Sequence, residues 1–250
     1  LTLDRTRLHA NEIKPRLKEL RKKALSIEPN LATRINKIGT TVFKYKNELI
    51  DKKQFLIEFL NEFYYDIQTY LSLPKEKIQE FYQQKNISLT EYYWYSLVLS
   101  NWLTKEDPKF SYWIEKLLLE EYKGNDQNLI LALTQKINTR TDGSASHRYI
   151  LDLSMATDLL VSHVPSQLQP VFVQLTGIPT FRDGQLNPDF IKKQQRWDST
   201  LSYWCIKRAL LVAHNSEVNR PDNLLILTDA ILKESSARPA EFRASIVFHK

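Results

Sequence analysis

Residues 156–176 read ATDLLVSHVPSQLQPVFVQLT, and this stretch decides the fold. Residues alternate across a strand, so Asp158, Leu160 and Ser162 share one face while Leu159 and Val161 share the other. Along the second half, Phe172, Gln174 and Thr176 point one way, and Val171, Val173 and Leu175 point the other. A turn near Pro165 to Gln167 lets the two halves pair antiparallel, setting residue 158 opposite 174 or 176. A carboxylate, a carboxamide and a hydroxyl then meet at one end of a sheet whose other face is apolar. Such groups are costly to bury without partners, so the cluster is either solvated or used. The same residues allow a second reading, because Thr157-Asp158 ahead of an apolar run is also a helix-capping sequence.

The order of the strand residues resembles the PD-(D/E)XK, or restriction-endonuclease-like, nuclease superfamily. There an acidic residue near the start of one strand is followed by a turn and by hydrophobic-Glu/Gln-x-Lys on the next. The resemblance covers the last 150 residues or so, and it implies a mixed sheet flanked by helices that cleaves phosphodiesters with Mg²⁺. Asp158 falls on the acidic position and Gln174 on the second, so these two are the implied metal ligands. Thr176 falls where the superfamily carries lysine. The positive charge that lysine provides would then come from Lys192 or Lys193 in the following helix. An upstream helical acid that completes such sites is matched by Glu121 or Glu120. Magnesium suits oxygen ligands and keeps several waters, so one or two carboxylates suffice to hold it.

The N-terminal half is patterned as helices. Ile13, Leu17, Leu20, Ala24 and Ile27 recur at threes and fours between His9 and Ile27. Further helices are expected over 31–45, 52–71, 75–84, 88–103 and 108–122, with Pro74 ending the third and Ser88 with Glu91 forming a capping box. Beyond Gly124 the period changes. Residues 128–137 suit helix or strand equally. Residues 149–164 and 170–176 read as extended, 189–214 as one long helix containing Cys205, 220–223 as a turn, and 224–227 and 244–248 as strands. This order predicts an α/β (α+β) chain, with a helical region over 1–105 and an endonuclease-like core over 106–250.

Composition narrows the function classes. The chain has 250 residues, one cysteine and five glycines, which argues against disulfide scaffolds, propellers and Gly-rich nucleotide loops. No segment approaches the roughly 20 apolar residues of a membrane span, and the expected setting is cytoplasmic. Residues 1–50 hold twelve Lys/Arg against five Asp/Glu, a surplus of seven against +6 for the whole chain. Lys14, Lys18, Arg21, Lys22 and Lys23 form a basic helix face able to neutralise phosphates. The aromatic group Tyr92, Tyr93, Trp94, Tyr95, Trp102, Tyr112 and Trp113 could stack bases, dock a protein partner, or simply pack a core. Histidines 9, 147, 163, 214 and 249 form no zinc motif, and no serine-hydrolase or P-loop signature is present. The expectation is a metal-dependent nuclease-like protein acting on DNA or RNA. Its alternative is a non-catalytic subunit that uses the same fold as a scaffold.

Overall fold

The computed structural model describes residues 8–44, 50, 52–73, 77–84, 87–119, 126–215, 218, 220–237 and 241–247. The chain divides into two compact units, one formed by residues 1–87 and 94–123, the other by residues 88–93 and 124–250.

The first unit is helical. Its described elements are α1 (Ala10–Ile27), α2 (Pro29–Val42), α3 (Gln54–Ser72) and α4 (Ile78–Gln83). Residues Leu89–Tyr93 form a short helix, α5, that belongs to the second unit. A π turn over Trp94–Val98 and then α6 (Leu99–Thr104) and α7 (Phe110–Leu119) belong to the first. The apolar stripe of α3 meets the aromatic residues of the later helices. Phe59 contacts Trp113 edge-on at 5.4 Å between ring centroids, and Phe63 contacts Trp102 at 6.4 Å. Both indoles need an acceptor when buried, and Asp107 provides it, accepting from Trp113 Nε1 at 2.9 Å and from Trp102 Nε1 at 3.4 Å.

The second unit contains a five-stranded mixed sheet with helices on both faces. In chain order it comprises α8 (Gln127–Asn138), β1 (Gly143–Ser146), α9 (Tyr149–Met155), β2 (Leu159–His163) and β3 (Val171–Thr176). A small hairpin follows, β4 (Phe181–Arg182) and β5 (Gln185–Leu186), then α10 (Pro188–Tyr203), β6 (Arg208–Ala213), α11 (Pro221–Ala237) and β7 (Phe242–Val247). The sheet order is β1-β2-β3-β6-β7. Strands β1, β2 and β3 pair antiparallel, and β3, β6 and β7 pair parallel. One face carries Leu159, Val161, Val171, Val173, Leu175, Leu210 and Val212, packed against Leu129, Leu133 and Ile137 of α8 and Leu227 and Ile231 of α11. Arg243 of β7 lies on the opposite face and reaches α10, donating to Ser202 Oγ at 3.0 Å.

Gly143 shows how tightly α8 seats on β1. A Cβ built there would lie 2.8 Å from Ile137 Cγ2 and 2.9 Å from the Ile137 carbonyl oxygen. Gly143→Ala is therefore expected to destabilise the fold by about 1–3 kcal/mol, the usual range for overpacking. A lowered denaturant midpoint at unchanged slope is the expected readout; an unchanged midpoint would mean that α8 is free to shift.

Four sequence expectations need correction. Residues 149–155 are helical, ended by Ala156 in the left-handed region at φ 51°; the apolar residues there pack on a helical spacing that a short window hides. The expected 189–214 helix stops at Tyr203, and Cys205 is an exposed residue at φ 57° in the turn leading to β6. Strand β6 is buried on both faces, which removes the alternation that marks a strand. Conversely, Leu224 to Leu227 lie within α11, not in a strand, and Leu225 and Ile226 are each 42% exposed. The expected turn at 220–223 is largely the first turn of that helix. Residues 128–137 resolve as helix. No helix among the described residues is long and apolar enough to cross a membrane.

Candidate functional site

The register of β2 on β3 ends with Leu159 paired to Val173, and Asp158, one residue before β2, stands just beyond that end, next to the stretch of β3 that holds Gln174. The backbone bends out of register there, with Asp158 N donating to the Val173 carbonyl at 2.9 Å. Asp158 precedes a strand and does not cap a helix, which removes the capping alternative. Its carboxylate Oδ2 accepts from Leu175 N at 2.6 Å. Oδ1 has no hydrogen-bond partner among the described residues. Gln174 is 6% exposed, and its Oε1 likewise has no partner among the described residues. A buried amide oxygen without a donor is uncommon and calls for an explanation. One carboxylate oxygen and one amide oxygen thus stand open on paired strands.

Thr176 is the last residue of β3 and is buried. Its Oγ1 accepts from Ile178 N at 3.2 Å, closing the turn out of the strand. Its carbonyl accepts from His214 N at 2.9 Å, just beyond the end of β6. The site therefore lies at the carboxyl ends of two adjacent parallel strands, the usual location for ligands in open α/β sheets. A hydroxyl engaged in a turn carries no charge, so Thr176 does not replace a lysine.

Other groups gather around this point. His147 Nδ1 donates to the Asp158 carbonyl at 2.9 Å, and burial holds its imidazole below the ordinary histidine range. His214 Nε2 lies 3.6 Å from Asp126 Oδ1. Contact with Asp126 holds the His214 imidazole above its ordinary value, and the negative charge of Asp158 adds to that. Asp126 is correspondingly held low by His214, with a smaller contribution from Lys193. Burial, helped by the negative charge of Asp152, pushes the Asp158 carboxyl up to about 7; the Leu175 amide and Lys193 oppose this. A carboxylate kept partly protonated by burial and like charge is one that a cation would stabilise.

The remaining candidates separate. Lys193 is half-buried on α10, and its charge reaches both Asp158 and Asp126, whereas Lys192 is exposed. Glu120 and Glu121 lie outside the described residues. Asp126, at the start of α8, is the upstream acid that the described residues place beside the strand ends. Among the described residues no three or more His, Cys, Asp or Glu side chains converge as a metal-ligand set. Asp158 and Gln174 nevertheless fit a hard cation that retains most of its waters.

On α1, which belongs to the helical unit, Lys18, Arg21, Lys22 and Lys23 are exposed and Lys14 is half-buried. Lys18 Nζ sits 5.4 Å above the Phe43 ring, and Arg16 pairs with Glu19 at 3.5 Å. Four of the seven aromatics are core. Trp94, Tyr95, Trp102 and Trp113 are each at most 2% exposed. Tyr92 and Tyr93 are half-buried, and Tyr93 Oη donates to the Gln167 carbonyl at 3.1 Å. Of the seven aromatics, Tyr112 is the one classed as exposed, at 61%.

Sequence reasoning missed His147, His214, Asp126 and Asp152. Their separations of 5 to 88 residues form no motif, and the one signal was that both histidines adjoin strand ends. Comparison with protein-family models, with curated proteins and with solved structures finds no match in any of the three.

Proposed function

We propose that this chain acts on nucleic-acid phosphodiesters as a metal-dependent nuclease-like protein. The observation that carries the reading is the Asp158 carboxylate, held on β3 by Leu175 N, together with the unpartnered, buried Gln174 oxygen of the neighbouring residue, at the carboxyl ends of β3 and β6. In this reading Asp158 and Gln174 hold Mg²⁺, which when bound activates water and neutralises charge on the phosphoryl oxygens. Lys193 takes the part of the superfamily's lysine, holding the phosphate from α10. The His214–Asp126 pair is neutral as a whole, and its imidazole, held beside Thr176, is placed to hold or pass a proton. Leu175 N fixes the orientation of Asp158, and His147 fixes the strand end from which it projects. What favours the resemblance to the PD-(D/E)XK superfamily in this reading is the mixed sheet, the flanking helices and the place of Asp158 and Gln174 near one end of adjacent strands. A cytoplasmic setting belongs to the same reading.

The test is incubation of the full chain with single- and double-stranded DNA and with RNA, in Mg²⁺, in Mn²⁺ and in EDTA. Cleavage is expected with metal and not with EDTA. Lys193→Ala is expected to lower the rate by about 10²-fold, the usual loss when one charge-stabilising group is removed. Cleavage that persists in EDTA, or a Lys193→Ala variant as fast as the parent, would contradict these assignments. The second reading is a non-catalytic subunit on the same scaffold, and the engaged, uncharged Thr176 hydroxyl favours it. Metal binding without cleavage of any substrate would select that reading.

A further inference from the structure

The chain between β3 and α10 forms a fixed, outward-facing hairpin that the metal site does not explain. Strands β4 and β5 pair Phe181 with Leu186 and Arg182 with Gln185. Asp183 and Gly184, at φ 52° and 75°, make the two-residue turn, the type whose twist suits a tight hairpin. Asn187 ties down the base. It is fully buried, donates Nδ2 to the Pro179 carbonyl and N to the Thr180 carbonyl, each at 2.8 Å, and caps α10 by accepting from Asp189 N. On this rigid stem Phe181 is 56% exposed and Leu186 54% exposed. A cross-strand apolar pair held in water on an anchored hairpin forgoes burial that a floppier loop would find.

Charge and chain position bear on what could cover it: Arg182 on the hairpin is already paired with Asp189 at 3.4 Å, and the unpaired positive charge lies farther along the chain. The hairpin leads directly into α10, whose outer side carries Lys192 and Arg196, both exposed and one helical turn apart. Neither has an ion-pair partner among the described residues. Four residues lie between Thr176 and Phe181, so their Cα atoms are at most about 18 Å apart. That is the axial rise of about five nucleotides in a duplex strand. We propose that the β4–β5 hairpin and the outer side of α10 bind a single strand of nucleic acid leading to the Asp158 site, with Phe181 stacked on a base and Lys192 and Arg196 on backbone phosphates. This rests on the phosphodiester reading above. An unpaired base is required because Phe181 needs an open π-face, whereas a duplex would have to be unstacked first.

The test measures binding in EDTA, where the proposed cleavage is off, by fluorescence anisotropy of labelled oligothymidine, oligouridine and a blunt duplex of equal length. The single strands are expected to bind more tightly than the duplex. Phe181→Ala is expected to weaken single-strand binding about tenfold, within the range for losing one stacked base, and Phe181→Trp to restore it. The Lys192→Ala, Arg196→Ala double variant is expected to reduce the slope of log affinity against log salt by about 1.4, or 0.7 per phosphate. All three side chains concerned are at the surface, and an unchanged circular-dichroism melt of each variant checks that folding is intact. No single-strand binding, preference for the duplex, or a Phe181→Ala variant that binds like the parent would overturn the inference. If the hairpin variants lose binding while the parent never cleaves, the surface stands and the nuclease reading falls. Cleavage with hairpin variants that bind normally has the opposite meaning.

Discussion

Asp158→Ala is expected to abolish metal-dependent cleavage, lowering the rate by at least about a hundredfold. Substitution of groups that merely orient metal ligands costs 10–100-fold, and Asp158 is assigned as the one charged ligand. The alanine also removes the acceptor of Leu175 N, leaving a backbone donor unpaired at a cost of about 1–3 kcal/mol. Loss of activity in this variant alone would therefore mix chemistry with structure. Asp158→Asn separates them, because the amide oxygen can still accept from Leu175 N while the negative charge is gone. Both variants are expected to be inactive, with only the alanine losing stability through the broken hydrogen bond. Cleavage retained by Asp158→Asn would remove Asp158 from the metal site.

The second large effect has the opposite sign. In the absence of divalent cations, Asp158→Asn is expected to be more stable than the parent at pH 8. The folded-state carboxyl titrates near 7, above its unfolded value near 4, so the folded state binds the proton more tightly. The stability this gives is fully present below about pH 4 and is lost as pH rises through 7. At about 1.4 kcal/mol per pH unit the interval corresponds to roughly 4 kcal/mol at complete burial. Asp158 is only partly buried at its surface, so roughly 2–4 kcal/mol is the expected gain at pH 8, shrinking to near zero at pH 4. Chemical denaturation of both proteins across this range measures it directly. Adding Mg²⁺ stabilises the parent by mass action and is expected to narrow or reverse the difference. Equal stabilities at pH 4 and pH 8 would show that Asp158 is well solvated and its charge unopposed.

The alternation in 158–163 and 171–176 was legible because each strand places one side chain in two on the packed face with α8 and α11. The Pro165 region then left one short connection. From those two facts the pairing of β2 with β3 followed, though the bend at Asp158, which sends its N–H to Val173 and its carboxylate to Leu175 N, did not. Strand β6 was not legible. Like β3, Arg208 to Ala213 are buried on both faces, but Ala209 to Ala213 carry no polar residue to mark one face, so the run lacks the period that separates strand from helix. Leu224 to Leu227 misled in the converse way, because Leu225 and Ile226 are apolar yet lie on the outer side of α11. The aromatic cluster was ambiguous for a different reason. Trp102 and Trp113 suit a surface or a core equally until Asp107 is seen to accept from both indoles. His214 and Asp126 become neighbours only because parallel β6 ends beside Thr176, and no local pattern encodes that meeting.

The most direct measurement is calorimetric titration of Mn²⁺ into the full chain and into Asp158→Asn at pH 8. Saturable binding of one cation by the parent, absent in the variant, is the predicted result. Heat that is equal in the two proteins, or none in the parent, would mean that the open oxygens of Asp158 and Gln174 do not form a cation site.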